Sequence, residues 1–388
     1  MCVIISPTTT HPRPLTDSVS ACAAAKKLPP PGWTRPSSAV DSVFTPTGRD
    51  LGNGTISTLW QTLSTHSSTD LGAIHKIGAP IHIYPLYENA FRAHRGQSLK
   101  ANNEESATLY AEFSAIASTQ DYAWSQGQQH DSKTIGTISA RNRMICTPYP
   151  LLMNAFNTVN LAAAVILTSA SHAKALGIPQ SEWIYPLGGA GTSDVSEFWL
   201  RRDFHSAPSI ERSLSAALDV AETEVAELDL VDIYSCFPIV PKLAATALGL
   251  SVLGGERPLT LLGGLTSFGG AGNNYSMHAL TEMTRQLRSR KGKKGLVLCN
   301  GGVLSYQHVV VLGTAPRSSE YPVEKVLPEV LSDLKVPELA ELVQGQCFVE
   351  VRTFDSERVC RRLLILDRRT PLNSIETEPL CVVISLGV

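Results

Sequence analysis

Three short stretches between residues 231 and 312 place chemically capable residues where a strand should stop. They are Asp232-Ile233-Tyr234-Ser235-Cys236-Phe237-Pro238, Gly263-Gly264-Leu265-Thr266-Ser267-Phe268-Gly269-Gly270-Ala271-Gly272-Asn273-Asn274, and Cys299-Asn300-Gly301-Gly302. Strand ends followed by glycine turns are where open α/β sheets gather reacting groups, because the backbone can approach a ligand there. Cys236 immediately precedes a helix-forming segment, and a helix N-terminus favours a thiolate, which suits a nucleophile or a proton shuttle. The competing reading is a small buried apolar residue beside Phe237. Cys299, one residue before a glycine turn, carries the same two readings.

The middle stretch bares backbone N–H groups between the two cysteines. Turned inward, such groups make an oxyanion hole or a phosphate cradle; otherwise the glycines serve a tight connection with positive φ angles. The spacing matches neither a P-loop nor G-x-G-x-x-G, so it gives no support for nucleotide binding. His278 falls opposite the Leu280–Met283–Leu287 stripe and reads as a solvated histidine. His308 lies inside a hydrophobic strand beyond the Cys299 turn, where it either reaches the same sheet end or is a satisfied core histidine. The basic run Arg285, Arg288, Arg290, Lys291, Lys293, Lys294 could meet coenzyme A phosphates, but a solvated helix end complementing the dipole is the stronger reading. No His/Asp/Glu grouping has metal-ligand spacing.

Alternating strands and helices must position these residues. Glu104 to Ala117 predicts a helix, as does Ser209 to Glu227, where Ile210, Leu214, Ala217 and Leu218 share one face after Pro208. Leu228–Tyr234 and Pro258–Leu262 read as strands, and Pro238–Leu248 as a helix stopped by Gly249. Tyr275–Arg290 reads as a helix capped by Asn273 or Asn274. Gly295–Cys299 and Val303–Leu312 predict a hairpin through the Asn-Gly-Gly turn. The pattern implies an α/β fold with mixed sheets. Val159–Ser169 reads as an inner strand or buried helix, too short to span a membrane. Gly188, Gly189 and Gly191 read as an interdomain turn without chemistry. The tail after Arg317 is charged, with β-like pieces at 347–353, 363–366 and 382–386.

Composition narrows the class. A hydrophobic content of 43% is ample for a buried core, and a net charge of -2 argues against nucleic-acid binding driven by bulk charge. The eight cysteines lie far apart without C-x-x-C spacing, which fits reduced intracellular thiols better than a disulfide framework. The chain ends Ser385-Leu386-Gly387-Val388, not a peroxisomal S-K-L; of cytoplasm and peroxisome, that favours the cytoplasm.

These motifs, with Arg141-Asn142-Arg143-Met144-Ile145, Pro148-Tyr149-Pro150 and Ala162–Ser169, resemble the thiolase-like acetyl-CoA acetyltransferases, specifically the sterol-carrier-type branch with fungal and actinobacterial relatives. The resemblance covers about Ile81 to Arg317. It implies paired α/β halves layered α-β-α-β-α, usually dimeric, that make or break a carbon–carbon bond between acyl-CoA units. No bound cofactor is implied; a coenzyme A thioester is the substrate. One cysteine of the family carries the acyl group and a second moves the α-proton. Cys236 matches the second in the family's H-D-C-F motif, while Cys299-Asn300-Gly301 matches the C-x-G motif of other thiolases.

The sequence also departs from that pattern. Tyr234 replaces the H-D-C-F histidine, and the family's G-H-P motif falls on Gly269-Gly270-Ala271, so Gly270 stands where the activating histidine would be. Asn273, Asn274 or His308 are the substitutes within reach in sequence. Neither Cys2 nor Cys22 sits in the context of the nucleophilic cysteine. The resemblance therefore divides the chain into a poorly ordered Pro/Ser/Thr-rich leader (1–76), a remnant of the N-terminal half (77–188), the C-terminal half (189–317) and a small β-containing tail (318–388), with the first part of the N-terminal half lacking. Two functions follow: an acyl-CoA acyltransferase with Cys236 as acid/base, assisted by Cys299, His308 and the Tyr234, Gly269, Gly270, Asn273, Asn274 loop, or a catalytically impaired accessory subunit that binds acyl-CoA. The expected partner is a second copy or a complete thiolase.

Overall fold

The computed structural model describes residues 79–334, apart from 196 and 197, and the strand segments 2–5, 348–354, 362–367 and 380–381. Its centre is a four-stranded mixed sheet. Strand β1 (Tyr185–Ser193), helix α3 (Pro208–Val220), strand β2 (Leu230–Ile233), helix α4 (Ile239–Leu248), helix α5 (Asn274–Arg288), strand β3 (Lys294–Gly301) and strand β4 (Tyr306–Gly313) follow one another along the chain. They are preceded by helices α1 (Pro80–His94) and α2 (Leu99–Ser118). The spatial order is β1-β4-β3-β2, with β2 parallel to β3 and the other neighbours antiparallel.

Register assigns the faces. Gly188 is opposite Val311, which is opposite Leu296, so these three share one face. A Cβ on Gly188 would lie 2.5 Å from the Ala221 backbone nitrogen, so the C-terminal end of α3 packs directly on that face. Gly295 is on the other face, where a Cβ would strike Met283 of α5. Helices therefore cover both sides of the sheet, as the alternating pattern implies. Gly188, Gly189 and Gly191 lie inside β1, not in an interdomain turn; glycine is needed there because the α3 C-terminal backbone, the Val309 carbonyl and the His308 ring respectively occupy the side-chain space.

Local signals place several elements well. Pro208 opens α3, whose Ile210, Leu214 and Ala217 are buried. Gly249 ends α4 in the left-handed conformation at φ 66°, the conformation glycine adopts at little cost. Residues 258–262 are not a strand. The Asp232 carboxylate takes the backbone N–H groups of Leu261 (2.7 Å) and Leu262 (3.3 Å), so a side chain replaces a neighbouring strand. The helix α5 begins where expected, but Asn273 makes no capping bond and Asn274 Nδ2 donates instead to the Leu161 carbonyl at 2.8 Å.

Val159–Ser169 differs most from its sequence reading. Only Ile166–Ser169 is a strand, and Ile166 and Leu167 are 50% and 60% exposed. The segment Cys2–Ile5, within the leader predicted to be poorly ordered, pairs antiparallel with it; the rest of the leader lies outside the described residues. Three tail strands, Phe348–Phe354, Arg362–Asp367 and Leu380–Cys381, form a separate antiparallel sheet, while 382–386 lies outside the described residues. No helix among the described residues is long and apolar enough to cross a membrane.

Candidate active site at the sheet end

Strand β2 stops at Ile233 because the chain turns at Tyr234–Phe237 into α4, which begins at Ile239. Cys236 therefore sits at the end of the sheet beside the corner that joins β3 to β4. Asn300 Nδ2 reaches its sulfur at 3.8 Å and the Tyr84 hydroxyl at 2.9 Å. The amide is oriented by Gln307, whose Nε2 donates to Asn300 Oδ1 at 2.9 Å. Tyr84 comes from α1 and stacks on Phe237, ring centroids 4.6 Å apart; Phe237 stacks in turn on Tyr149 at 5.5 Å.

Burial dominates the electrostatics here. Cys236 retains 8% exposure, and desolvation pushes its thiol up to about 12 despite hydrogen bonds from Tyr84, Asn300 and the local backbone that favour the thiolate. The helix N-terminus expected to lower this thiol is outweighed. Cys236 is a protonated thiol at neutral pH, suited to giving a proton rather than attacking as a ready nucleophile.

The joining corner is wider than an Asn-Gly-Gly hairpin. Residues 302–305 separate the strands, and Leu304 adopts φ 66°. That unfavourable conformation is held from two sides: Leu304 N–H donates to Tyr84 Oη at 3.1 Å, and Arg201 Nη2 donates to the Leu304 carbonyl at 2.5 Å. Arg201 is itself buried and paired with Asp194 at 2.7 Å. The Tyr87 hydroxyl donates to the Val303 carbonyl at 3.1 Å.

Cys299 and His308 are cross-strand partners, on the face opposite Asn300 and Gln307 because side chains alternate. The Cys299 thiol, raised by burial, hydrogen-bonds Ser276 of α5. The exposed His308 ring leans over Gly191 in β1. Asn300, and not Cys299 or His308, is thus the residue of this corner that turns to Cys236.

The glycine stretch borders the site through Tyr234 and Ser235. Tyr234 Oη donates to the Gly272 carbonyl at 3.3 Å, and a Cβ on Gly264 would lie 2.7 Å from Ser235 Oγ. Gly263 (φ 98°) and Gly264 (φ 73°) open a single helical turn, Gly264–Ser267. Gly269 faces Trp124 and Leu161, and Gly270, whose N–H donates to the Phe156 carbonyl, has no room for a side chain against Leu265. Asn273 and Asn274 stand at the start of α5.

His278 is buried, edge-to-face with Phe268 at 5.3 Å, not solvated; α5 is sandwiched between the sheet and the glycine stretch. The basic residues 290–294 sit at the start of β3, the opposite end of that strand from Asn300. Among the described residues no His, Cys, Asp and Glu grouping could hold a metal. Sequence reading missed Tyr84, Gln307 and Arg201. Tyr84 lies more than 150 residues before Cys236, and the only local signal is an aromatic in an apolar helix stripe.

Residues 190–314 match the family model described as thiolase C-terminal domain-like. A search of curated proteins returns no match. Among solved structures, a monomeric SCP2-thiolase like protein type 1 from Mycobacterium smegmatis superimposes with a TM-score of 0.69 at 29% identity, over 78% of this chain and 66% of that one. The chain thus spans just under two thirds of that relative's length. An Ltp2-ChsH2(DUF35) aldolase matches with a TM-score of 0.50 at 15% identity, over 67% of this chain and 68% of that one, a likeness of fold alone. The fold of this chain is thiolase-like.

Proposed function

We propose that this chain acts on a coenzyme A thioester at the end of the central sheet, as an acyltransferase of the thiolase superfamily in which Cys236 is the acid/base of carbon–carbon bond formation or cleavage. The carrying observation is the contact of the Cys236 sulfur with Asn300, oriented by Gln307. In the cleavage direction, a thiolate adds to the keto carbon of the substrate; that carbon becomes a new thioester as the carbon–carbon bond breaks, and the electron pair leaves as an enolate on the departing acyl unit. The Cys236 S–H gives its proton to the enolate carbon, and the resulting thiolate recovers a proton from the incoming thiol. A thiol held near 12 donates only to a strong base such as an enolate, which restricts the step to that moment. The donors expected to hold the thioester or enolate oxygen are largely engaged within the fold: the N–H groups of Gly263, Gly264 and Gly270 donate to Thr260, Tyr275 and the Phe156 carbonyl, and Asn300 Nδ2 to Tyr84 and Cys236, so an incoming oxygen has to displace one of these bonds. Replacing Cys236 by Ala, with folding verified, and following coenzyme A release from short acyl-CoAs tests the assignment; unchanged turnover overturns it.

A second reading, a catalytically impaired subunit that binds acyl-CoA and pairs with a complete thiolase, is favoured by a different observation. Cys299 turns to Ser276 on the opposite face, and Gly270 has no room for the histidine expected there. Incubation with radiolabelled acyl-CoA separates the two: acyl label on one of the chain's own cysteines excludes the impaired subunit.

A further inference from the structure

Tyr84 bears on the same thiol and rests on the reading of Cys236 as a proton donor. Its hydroxyl oxygen accepts two hydrogen bonds, from Asn300 Nδ2 at 2.9 Å and from Leu304 N–H at 3.1 Å. With both lone pairs occupied, the phenolic proton must point elsewhere. Two acceptors remain beside it: the Gly302 carbonyl, at a long 3.5 Å, and the Cys236 sulfur, which shares the Asn300 Nδ2 donor with it, at 2.9 Å from the hydroxyl oxygen and 3.8 Å from the sulfur. The ring cannot swing away, being stacked on Phe237 and set edge-to-face against Tyr87 at 6.2 Å. Burial raises Tyr84 well above an ordinary phenol, so it keeps its proton when the neighbouring thiol loses one.

We propose that Tyr84 is the positioning residue of Cys236: its O–H, locked in direction by Asn300 and Leu304, is the donor that receives the thiolate formed when Cys236 gives up its proton. No proton leaves Tyr84 in this step; the thiol proton goes to the substrate carbon, and the hydrogen bond to sulfur strengthens as charge develops there.

The test needs no acyl-CoA. Site-resolved iodoacetamide alkylation, read on the Cys236 peptide by mass spectrometry between pH 8 and 10, reports the thiolate population directly. Tyr84→Phe keeps the stacked ring and removes the hydroxyl, both the donor and the acceptor of the Asn300 and Leu304 bonds, so the Cys236 rate should fall by about tenfold or more at each pH, with Cys299 unchanged. Tyr87→Phe removes a hydroxyl that holds the same corner at Val303 and should leave the Cys236 rate unchanged. An unaltered Cys236 rate in Tyr84→Phe overturns the proposal, as does an equal fall in both variants, which would mean that the corner's packing is what matters. Because the readout is independent of turnover, the Tyr84 effect can stand even if no acyl transfer is found.

Discussion

Lys242 Nζ and Glu88 Oε1 meet at 2.6 Å with neither side chain exposed to solvent, joining α4, the helix after Cys236, to α1, the helix that carries Tyr84. Glu105, Ser106 and Asn102 of α2 complete the ammonium's surroundings at 3.0, 2.8 and 3.1 Å, and Tyr149 Oη donates to the other Glu88 oxygen at 2.6 Å. Burying a charge this deeply is tolerable only because every partner is supplied. The cluster fixes three helices around the Tyr84–Phe237–Tyr149 stack.

Lys242→Ala leaves Glu88 buried without its counter-charge. Stability should fall by about 3–5 kcal/mol, read from denaturant unfolding of the variant against the parent. A loss below about 1 kcal/mol, the range of an exposed pair, would show that this cluster does not hold the helices together.

Asp232 gives a pH signature. Burial lifts its carboxyl from 3.8 to about 6 although four groups, Leu261 N–H, Leu262 N–H, Thr260 Oγ1 and Tyr275 Oη, donate to Oδ2; Oδ1 has no partner. Between those values the folded chain holds a proton that the unfolded chain has released. Its contribution therefore falls as pH rises from about 4 through 6, by an amount on the order of 3 kcal/mol. Asp232→Asn should gain on the parent over that window, measured as the difference in unfolding free energy at pH 4 and pH 7; a difference that does not change with pH contradicts this.

His278 should act with the opposite sign. Burial, with Arg285 adding to it, lowers its imidazole from 6.5 to about 4, so the unfolded chain takes up a proton first as pH drops. Stability from this site is complete above 6.5 and is lost toward pH 4, again on the order of 3 kcal/mol. His278→Phe keeps an aromatic against Phe268 and removes the unpartnered Nε2. The variant should lose less stability than the parent between pH 7 and pH 4; equal losses would place the histidine in water.

Two glycines of the same stretch should respond differently to alanine. At Gly263, φ is 98° and a Cβ would lie 2.5 Å from the Ala117 backbone nitrogen; at Gly272, φ is 56° with open space around it. Gly272→Ala should cost about 1–2 kcal/mol from backbone conformation alone. Gly263→Ala adds a backbone collision with α2 and should cost clearly more, or prevent folding. Equal melting temperatures for the two variants would mean that α2 does not pack against the stretch as described.

The sequence by itself determined the alternation of helices and strands, the end of β2 beside Tyr234, and the stop of α4 at Gly249, because these follow from hydrophobic period and the conformational preferences of proline and glycine; β3 instead runs past the predicted stop at Cys299 to Gly301. The sequence also brought Cys236 and the corner at residue 300 to one end of one sheet. Only the tertiary structure decided which residue of that corner meets the thiol. Side chains alternate along a strand, so a register fixed by distant pairings sends Asn300 to Cys236 and Cys299 to Ser276. Tyr84, Lys242 and Glu88 act through contacts spanning roughly 150 residues or more of chain, and no local spacing encodes such proximity. Burial settled the rest, raising the Cys236 thiol where a helix N-terminus alone would have lowered it.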